Sequence, residues 1–348
     1  MGNQRYFSAQ GVLNFIVIDN TNLKLFDTFY KHYQNFEVVE MPEKVDLVIK
    51  LGNFTPKTED KYVVGYSKYY IGSDYFHVKK ESYKGADWSF EVIGWDKKTT
   101  TVNIDFNTSG RIFITGNVID FLIQWKLLQK SYSLIHASGI SKNGKAVIFS
   151  ARGGGGKTSL ALESLNHDYN FLSDNYLMLK NGIIFGFPTS LSLFTYNLSE
   201  IILKNLKKTE KLSITFKNFV YKLSRGYAKF FTKINPQRIS DLTSHSSLST
   251  VFIIKPIERG ENQLIIKKIE RERALKKIFY NQMLEFPFFN QYIEIYSYIF
   301  PGKKFSKHWD LYLEILDQNL SENINFYEIL TDGHYSFDEL LKKIDEII

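Results

Sequence analysis

A chain of 348 residues with 44% hydrophobic and 23% charged residues has the composition of a folded globular protein rather than a disordered one. It contains no cysteine, which excludes disulfide frameworks, thiol catalysis and zinc-thiolate sites and makes the cytoplasm the expected compartment. The net charge of +7 hides an asymmetry: ten Lys/Arg face Glu210 alone between Ile201 and Ser240, while ten Asp/Glu face two Lys from Asp310 to Ile348.

Taken in chain order, residues 1–130 are expected to form a β-rich N-terminal region ending in an amphipathic helix. Short β-type runs stand at Gly11–Asp19, Asp46–Leu51, Tyr62–Tyr66, Phe90–Ile93, Thr101–Phe106 and Arg111–Thr115. The polar opening lacks a signal-peptide core and, with Tyr6, a myristoylation signal. No apolar run is long enough to span a membrane. Val118, Phe121, Leu122, Trp125 and Leu128 recur at helical spacing after Asn117, which predicts a helix over 118–131 capped by that residue.

Residues 131–348 read as α/β. Leu134–Ala137 and Ala146–Phe149 are apolar strands, and Lys157–Leu165 is a helix. Tyr169–Leu172 is a further strand, and Asn181-Gly182 joins Tyr176–Leu179 to Ile183–Phe185 as a hairpin. A mainly helical basic arm follows at 201–240, then strands at Thr250–Lys255 and Leu264–Ile269. The remainder is expected to be helical apart from a strand at Phe326–Leu330. Ser336, with Glu339 three residues on, opens the last helix as a capping box.

Chemistry concentrates at Ala151-Arg152-Gly153-Gly154-Gly155-Gly156-Lys157-Thr158-Ser159. A buried strand, a glycine-rich turn, Gly-Lys-Thr and a helix are the layout of a phosphate-binding loop. The glycines let backbone N–H groups converge on phosphate oxygens, Lys157 meets the β- and γ-phosphates, and the Thr158 hydroxyl can ligate Mg²⁺. Ala151 replaces the motif's first glycine, which is tolerable if its φ stays negative.

Asp174 ends the apolar run Tyr169-Asn-Phe-Leu-Ser-Asp, 17 residues after Lys157. It can reach a Mg²⁺ held by Thr158 or accept a proton from a substrate hydroxyl. His136 lies in Leu134-Ile-His-Ala-Ser-Gly139, on a strand expected to be antiparallel to, or hairpinned with, the loop strand across Lys142-Asn-Gly144. Taken alone, it is more simply a core histidine. The other histidines show no paired metal spacing, so no metal beyond nucleotide-bound Mg²⁺ is expected.

Together, Leu-Ile-His-Ala-Ser-Gly, the Gly₄-Lys-Thr loop and Phe-Leu-Ser-Asp resemble the catalytic domain of HPr kinase/phosphorylase-like proteins, most clearly over 132–195. The resemblance implies a P-loop core related to phosphoenolpyruvate carboxykinase, with ATP or another nucleoside triphosphate and Mg²⁺ as ligands. By it, Lys157 and Thr158 bind phosphates and Mg²⁺, Asp174 stands where the family has its catalytic carboxylate, and His136 orients it.

Two departures are visible. Asn175 stands where the family has a second acid, with Glu200 a candidate replacement, and the glycine-rich signature of true HPr kinases has no counterpart. The implied activity is therefore phosphorylation of a hydroxyl, Ser or Thr of a peptide (a ribosomally made precursor included) or of a protein. The alternative is a pseudokinase that recognises a peptide without modifying it. The arm at 201–240 is expected to dock an acidic peptide or protein, with a solvated face as the plainer reading. Nucleic acid is disfavoured because no recognition module accompanies the charge.

Overall fold

A computed structural model describes residues 3–21, 26–57, 59–193, 200–223, 232–258, 264–332 and 336–348. The chain forms β1 (Asn3–Ala9), β2 (Leu13–Asp19), α1 (Phe26–Tyr33), β3 (Glu37–Val38), β4 (Leu47–Leu51), β5 (Tyr62–Val64), β6 (Tyr69–Gly72), β7 (Tyr75–Tyr83), β8 (Ala86–Ile93), β9 (Thr100–Phe106), α2 (Arg111–Ile114) and α3 (Asp120–Leu128). It continues with β10 (Ser133–His136), β11 (Ser138–Lys142), β12 (Lys145–Ser150), α4 (Lys157–Glu163), β13 (Asn170–Ser173), β14 (Tyr176–Lys180), β15 (Ile183–Gly186), β16 (Leu191–Leu193), α5 (Glu200–Asn205), α6 (Lys208–Leu223) and β17 (Thr232–Ile234). The remaining elements are β18 (His245–Pro256), β19 (Leu264–Lys268), α7 (Arg271–Met283), α8 (Pro287–Ile299), α9 (His308–Asn319), β20 (Asn325–Thr331) and α10 (Phe337–Asp345).

The chain divides into two compact units: Met1–Ser133 with Met283–Ile315, and Leu134–Gln282 with Leu316–Ile348. The expected single cut near residue 130 is thus only the first of three crossings. Both units mix helix and strand.

In the first unit nine strands run in the order β3-β1-β2-β4-β9-β8-β7-β6-β5. The β2/β4 and β4/β9 pairs are parallel, whereas β7, β8 and β9 form antiparallel ladders. Helix α8 returns from far along the sequence to cover this sheet. Its Tyr292 hydroxyl donates to Glu81 at 3.1 Å, and Phe289 stacks on Phe121 with centroids 3.7 Å apart.

Three expectations fail in this unit. Arg111–Ile114 is helical, not a strand: the Asn107 side chain accepts the Gly110 N–H at 2.7 Å and turns the chain into a helical start. A wider helical turn at Thr115–Ile119 leads into α3, so Asn117 is inside helical structure and donates to the Phe113 carbonyl instead of capping. Nor is α3 amphipathic, because every residue of it is buried. Its polar positions are satisfied internally, as a helix buried all round requires. Gln124 meets His308 at 2.9 Å, and Lys126 donates to the carbonyls of Lys97 and Lys98. Burial pushes the Lys126 ammonium down to about 8.

The second unit is built on a sheet ordered β10-β14-β15-β18-β12-β11-β13, with β20 beside β18 and β19 beside β20. Strand β12 is parallel to β18, and β18 to β20. The predicted hairpin is present: Asn181 and Gly182 both take positive φ, which suits the turn joining two twisted strands. Ser336 also caps α10 as expected, accepting the Glu339 N–H at 3.0 Å. Ile140, Val147, Phe149, Leu160, Leu162, Phe252 and Ile329 form the heart of the core, each fully buried side chain contributing roughly 1.5–3 kcal/mol.

Glu328 on β20 is a buried carboxylate held by Lys277 at 2.8 Å, Arg273 at 3.1 Å and Lys267 at 3.3 Å. Burial alone would raise its carboxyl; the three cations, Lys277 foremost, prevail and hold it below the ordinary glutamate value. A folded-state value below the unfolded one means this contribution is complete above about pH 5 and lost as pH falls. Glu328→Gln should therefore cost about 2–3 kcal/mol near neutrality, the cations keeping some access to water, and should flatten the acid limb of the stability curve. Urea unfolding at several pH values checks both; a variant whose loss is independent of pH would refute the assignment.

Candidate active site

The glycine turn joins β12 to α4 inside the second unit. Gly156 takes φ +88°, a conformation that side-chain-bearing residues rarely adopt, immediately before Lys157 begins the helix. At Gly155 a Cβ would lie 2.7 Å from the Cβ of Ala151, so the turn closes only because residue 155 has no side chain. Ala151 itself is not among the positive-φ residues, which meets the condition under which its methyl group is tolerated. Arg152, Gly153 and Gly154 are exposed, and Ser159 is buried on α4.

Lys157 is only 6% exposed, yet among the described residues no acid forms an ion pair with it. The Nζ atom itself keeps contact with solvent, so the ammonium is placed to meet an incoming anion. Next to it, the Thr158 hydroxyl lies 3.0 Å from each oxygen of Asp174, which is 3% exposed. The 17-residue spacing thus brings the carboxylate to the start of the loop helix.

Asp174 and Asn175 lie where β13 passes into β14; opposite them Ala137 separates β10 from β11. The two pairs of strands form one ladder broken at this point, with the Ala137 N–H donating to the Asn175 carbonyl at 3.2 Å. Asn175 takes φ +70°, which Asn and Asp tolerate better than other side-chain-bearing residues. The hairpin expectation is corrected here. The partner of β12 across Asn143-Gly144 is β11, whereas β10, which carries His136, lies against β14.

The hydroxyl that donates to Asp174 Oδ1 alongside Thr158 belongs to Ser138, two residues beyond His136. His136 is buried, its ring edge-on to Tyr176 and its carbonyl accepting from Asn281 Nδ2 at 3.0 Å. Burial first, then the positive charges of Lys157 and Arg152, push its imidazole well below the ordinary histidine value, so it is neutral at neutral pH. Asn281 also donates to Ser150 Oγ at 3.1 Å, and the Arg152 guanidinium reaches the Asn281 carbonyl at 3.4 Å. Helix α7 therefore ties the ends of β10 and β12 to the root of the turn.

Ser138, Ser150 and Asn281 went unnoticed in the sequence. Ser138 lies within Leu134-Ile-His-Ala-Ser-Gly139; Asn281, 124 residues after Lys157, has no local signal beyond its i+4 spacing from Lys277. The side chain of Glu200, at the first position of α5, lies outside the described residues.

The arm is less uniformly helical than expected, α5 and α6 being followed by β17. Lys204, Lys207, Lys208 and Lys211 are exposed, whereas Arg238 is bound by Glu210 at 2.6 Å and Lys217 donates to Thr232. Arg225, Lys229 and Phe230, and the side chains of Tyr221 and Lys222, lie outside the described residues.

The donor set fits Mg²⁺: a hydroxyl and a carboxylate, both hard oxygen ligands, leave room for the waters and phosphates this ion retains. Among the described residues no group of three or more His, Asp or Glu could hold a metal by itself, and no helix is long and apolar enough to cross a membrane. The chain matches no family model and no curated protein.

Proposed function

We propose that this chain is an ATP-dependent kinase that transfers the γ-phosphate to a hydroxyl, Ser or Thr of a peptide or protein, on an HPr kinase-like core. The observation that carries this reading is Lys157, 6% exposed and without an acid partner among the described residues, beside a hydroxyl bound to both oxygens of Asp174. In this reading the turn at Ala151–Gly156 cradles the phosphates, and Lys157 neutralises charge between the β- and γ-phosphates. Thr158 and Asp174 hold Mg²⁺, which when bound shields the phosphate oxygens.

Asp174 takes the proton of the acceptor hydroxyl as its oxygen bonds to the γ-phosphorus and the bond to the β-phosphate oxygen breaks, leaving ADP. Ser138 and Thr158 fix the carboxylate for that task; neutral His136 adds no competing positive charge. The basic arm supplies the dock for an acidic substrate. Asn175, in place of an acid, favours a second reading, nucleotide-gated peptide recognition without transfer.

The experiment is direct. The purified chain, given Mg²⁺, γ-labelled ATP and acidic peptides with Ser or Thr, should release ADP and label the peptide in equal amounts. Nucleotide-induced stabilisation with no labelling would leave the second reading; neither effect would refute both.

A further inference from the structure

Helix α6 carries two apolar faces. On one, Ile214 is buried with Ile202, Leu206, Leu160, Leu162 and Ala151, so the arm and the phosphate loop share a core. On the other, Leu212, Phe216, Phe219 and Leu223 are 58–72% exposed. Their spacing of four, three and four residues is that of a helix-pairing seam, and in that frame Ile214 falls opposite the seam. Such a row of large apolar groups on one face marks an interaction surface.

Width and charge identify the occupant. Lys208 and Lys211 precede Leu212, and Ser213 and Thr215 stand between Leu212 and Phe216, so the apolar stripe is narrow over that stretch. A helix lying in a lipid surface presents a broader apolar arc, whereas a narrow seam matches one facing helix. Lys208 and Lys211 on the first turn of α6, and Lys204 and Lys207 shortly before it in the chain, are exposed, and the one acid of the arm, Glu210, is already engaged by Arg238. A second copy would bring the same excess of positive charge against itself.

We propose that α6 docks an acidic amphipathic helix of a peptide or protein partner, its apolar residues laid along Leu212–Leu223 and its Asp/Glu facing the lysines. That this partner is the phosphorylated substrate rests on the kinase reading; the docking does not.

The test uses the whole chain and a labelled synthetic helix with leucines at seam spacing and glutamates beside them, against a scrambled peptide of the same composition. Fluorescence anisotropy should show binding of the first alone, weakening as salt rises. Joint Leu212→Ser and Phe216→Ser should lower affinity at least about tenfold. Reversal of Lys204, Lys207, Lys208 and Lys211 to Glu should act mainly by slowing association. Both variants should retain the nucleotide-induced rise in thermal midpoint. Failure of that rise with peptide binding intact would refute the nucleotide site and leave the dock.

Equal binding of the scrambled peptide, or undiminished binding by the serine variant, overturns the proposal. So does stronger capture by phosphatidylcholine–phosphatidylserine vesicles than by the peptide, or self-association abolished by the same serines.

Discussion

Replacing Lys157 with alanine should remove most of the thermal stabilisation that ATP and Mg²⁺ give the wild-type chain. A ligand at a hundredfold excess over its dissociation constant stabilises a protein by about 2.7 kcal/mol. In a unit the size of the second one, that shifts the midpoint by roughly 5–10 °C. Lys157 is the one cation of the loop that is both buried and, among the described residues, without an acid partner, so its removal deletes the charge an incoming phosphate would answer. The same fact distinguishes binding from folding. Since among the described residues the ammonium has no ion pair to lose, Lys157→Ala should melt close to wild type when no nucleotide is present. A variant that keeps its full nucleotide shift would remove the phosphate-binding assignment.

Asp174→Asn is the second large effect, and it should separate chemistry from binding. An amide keeps the carbonyl oxygen that accepts from Thr158 and Ser138, so the local geometry should survive. It cannot take a proton at neutral pH. Phosphate transfer should fall by about 10²–10⁴-fold, the usual range for a lost general base, with the nucleotide-induced thermal shift largely kept. Single-turnover transfer measured beside thermal shift makes the comparison. Full activity in the variant would mean that another group takes the proton.

Local signals were legible where short-range chemistry decides the backbone. The Gly₄-Lys-Thr turn, the Asn181-Gly182 hairpin and the Ser336 cap each depend on a few adjacent residues, and each was readable. The approach of Asp174 to Thr158 was readable too, because one helix and one short strand leave little slack between them. Long-range pairing was not. Arg111–Ile114 has a β-rich composition but follows a side-chain-stabilised turn and packs as helix. The periodicity of α3 marked an apolar face without disclosing that the opposite face is buried too. Nothing near Asn281 announced its bonds to His136 and Ser150, which join residues 145 and 131 positions apart along the chain.

The division of the chain also sets an order of events during synthesis. Strand β18 obtains its parallel neighbour β20 only after Asn325–Thr331 have left the ribosome, some 70 residues later. At about 5–20 residues per second, the edge of β18 that β20 will cover waits several seconds. Until then Val251, Phe252 and Ile254 lack that strand, so nascent chains stalled between residues 256 and 325 should be the ones most prone to chaperone capture or aggregation. Recombinant fragments ending before β20 would inherit the same open edge permanently.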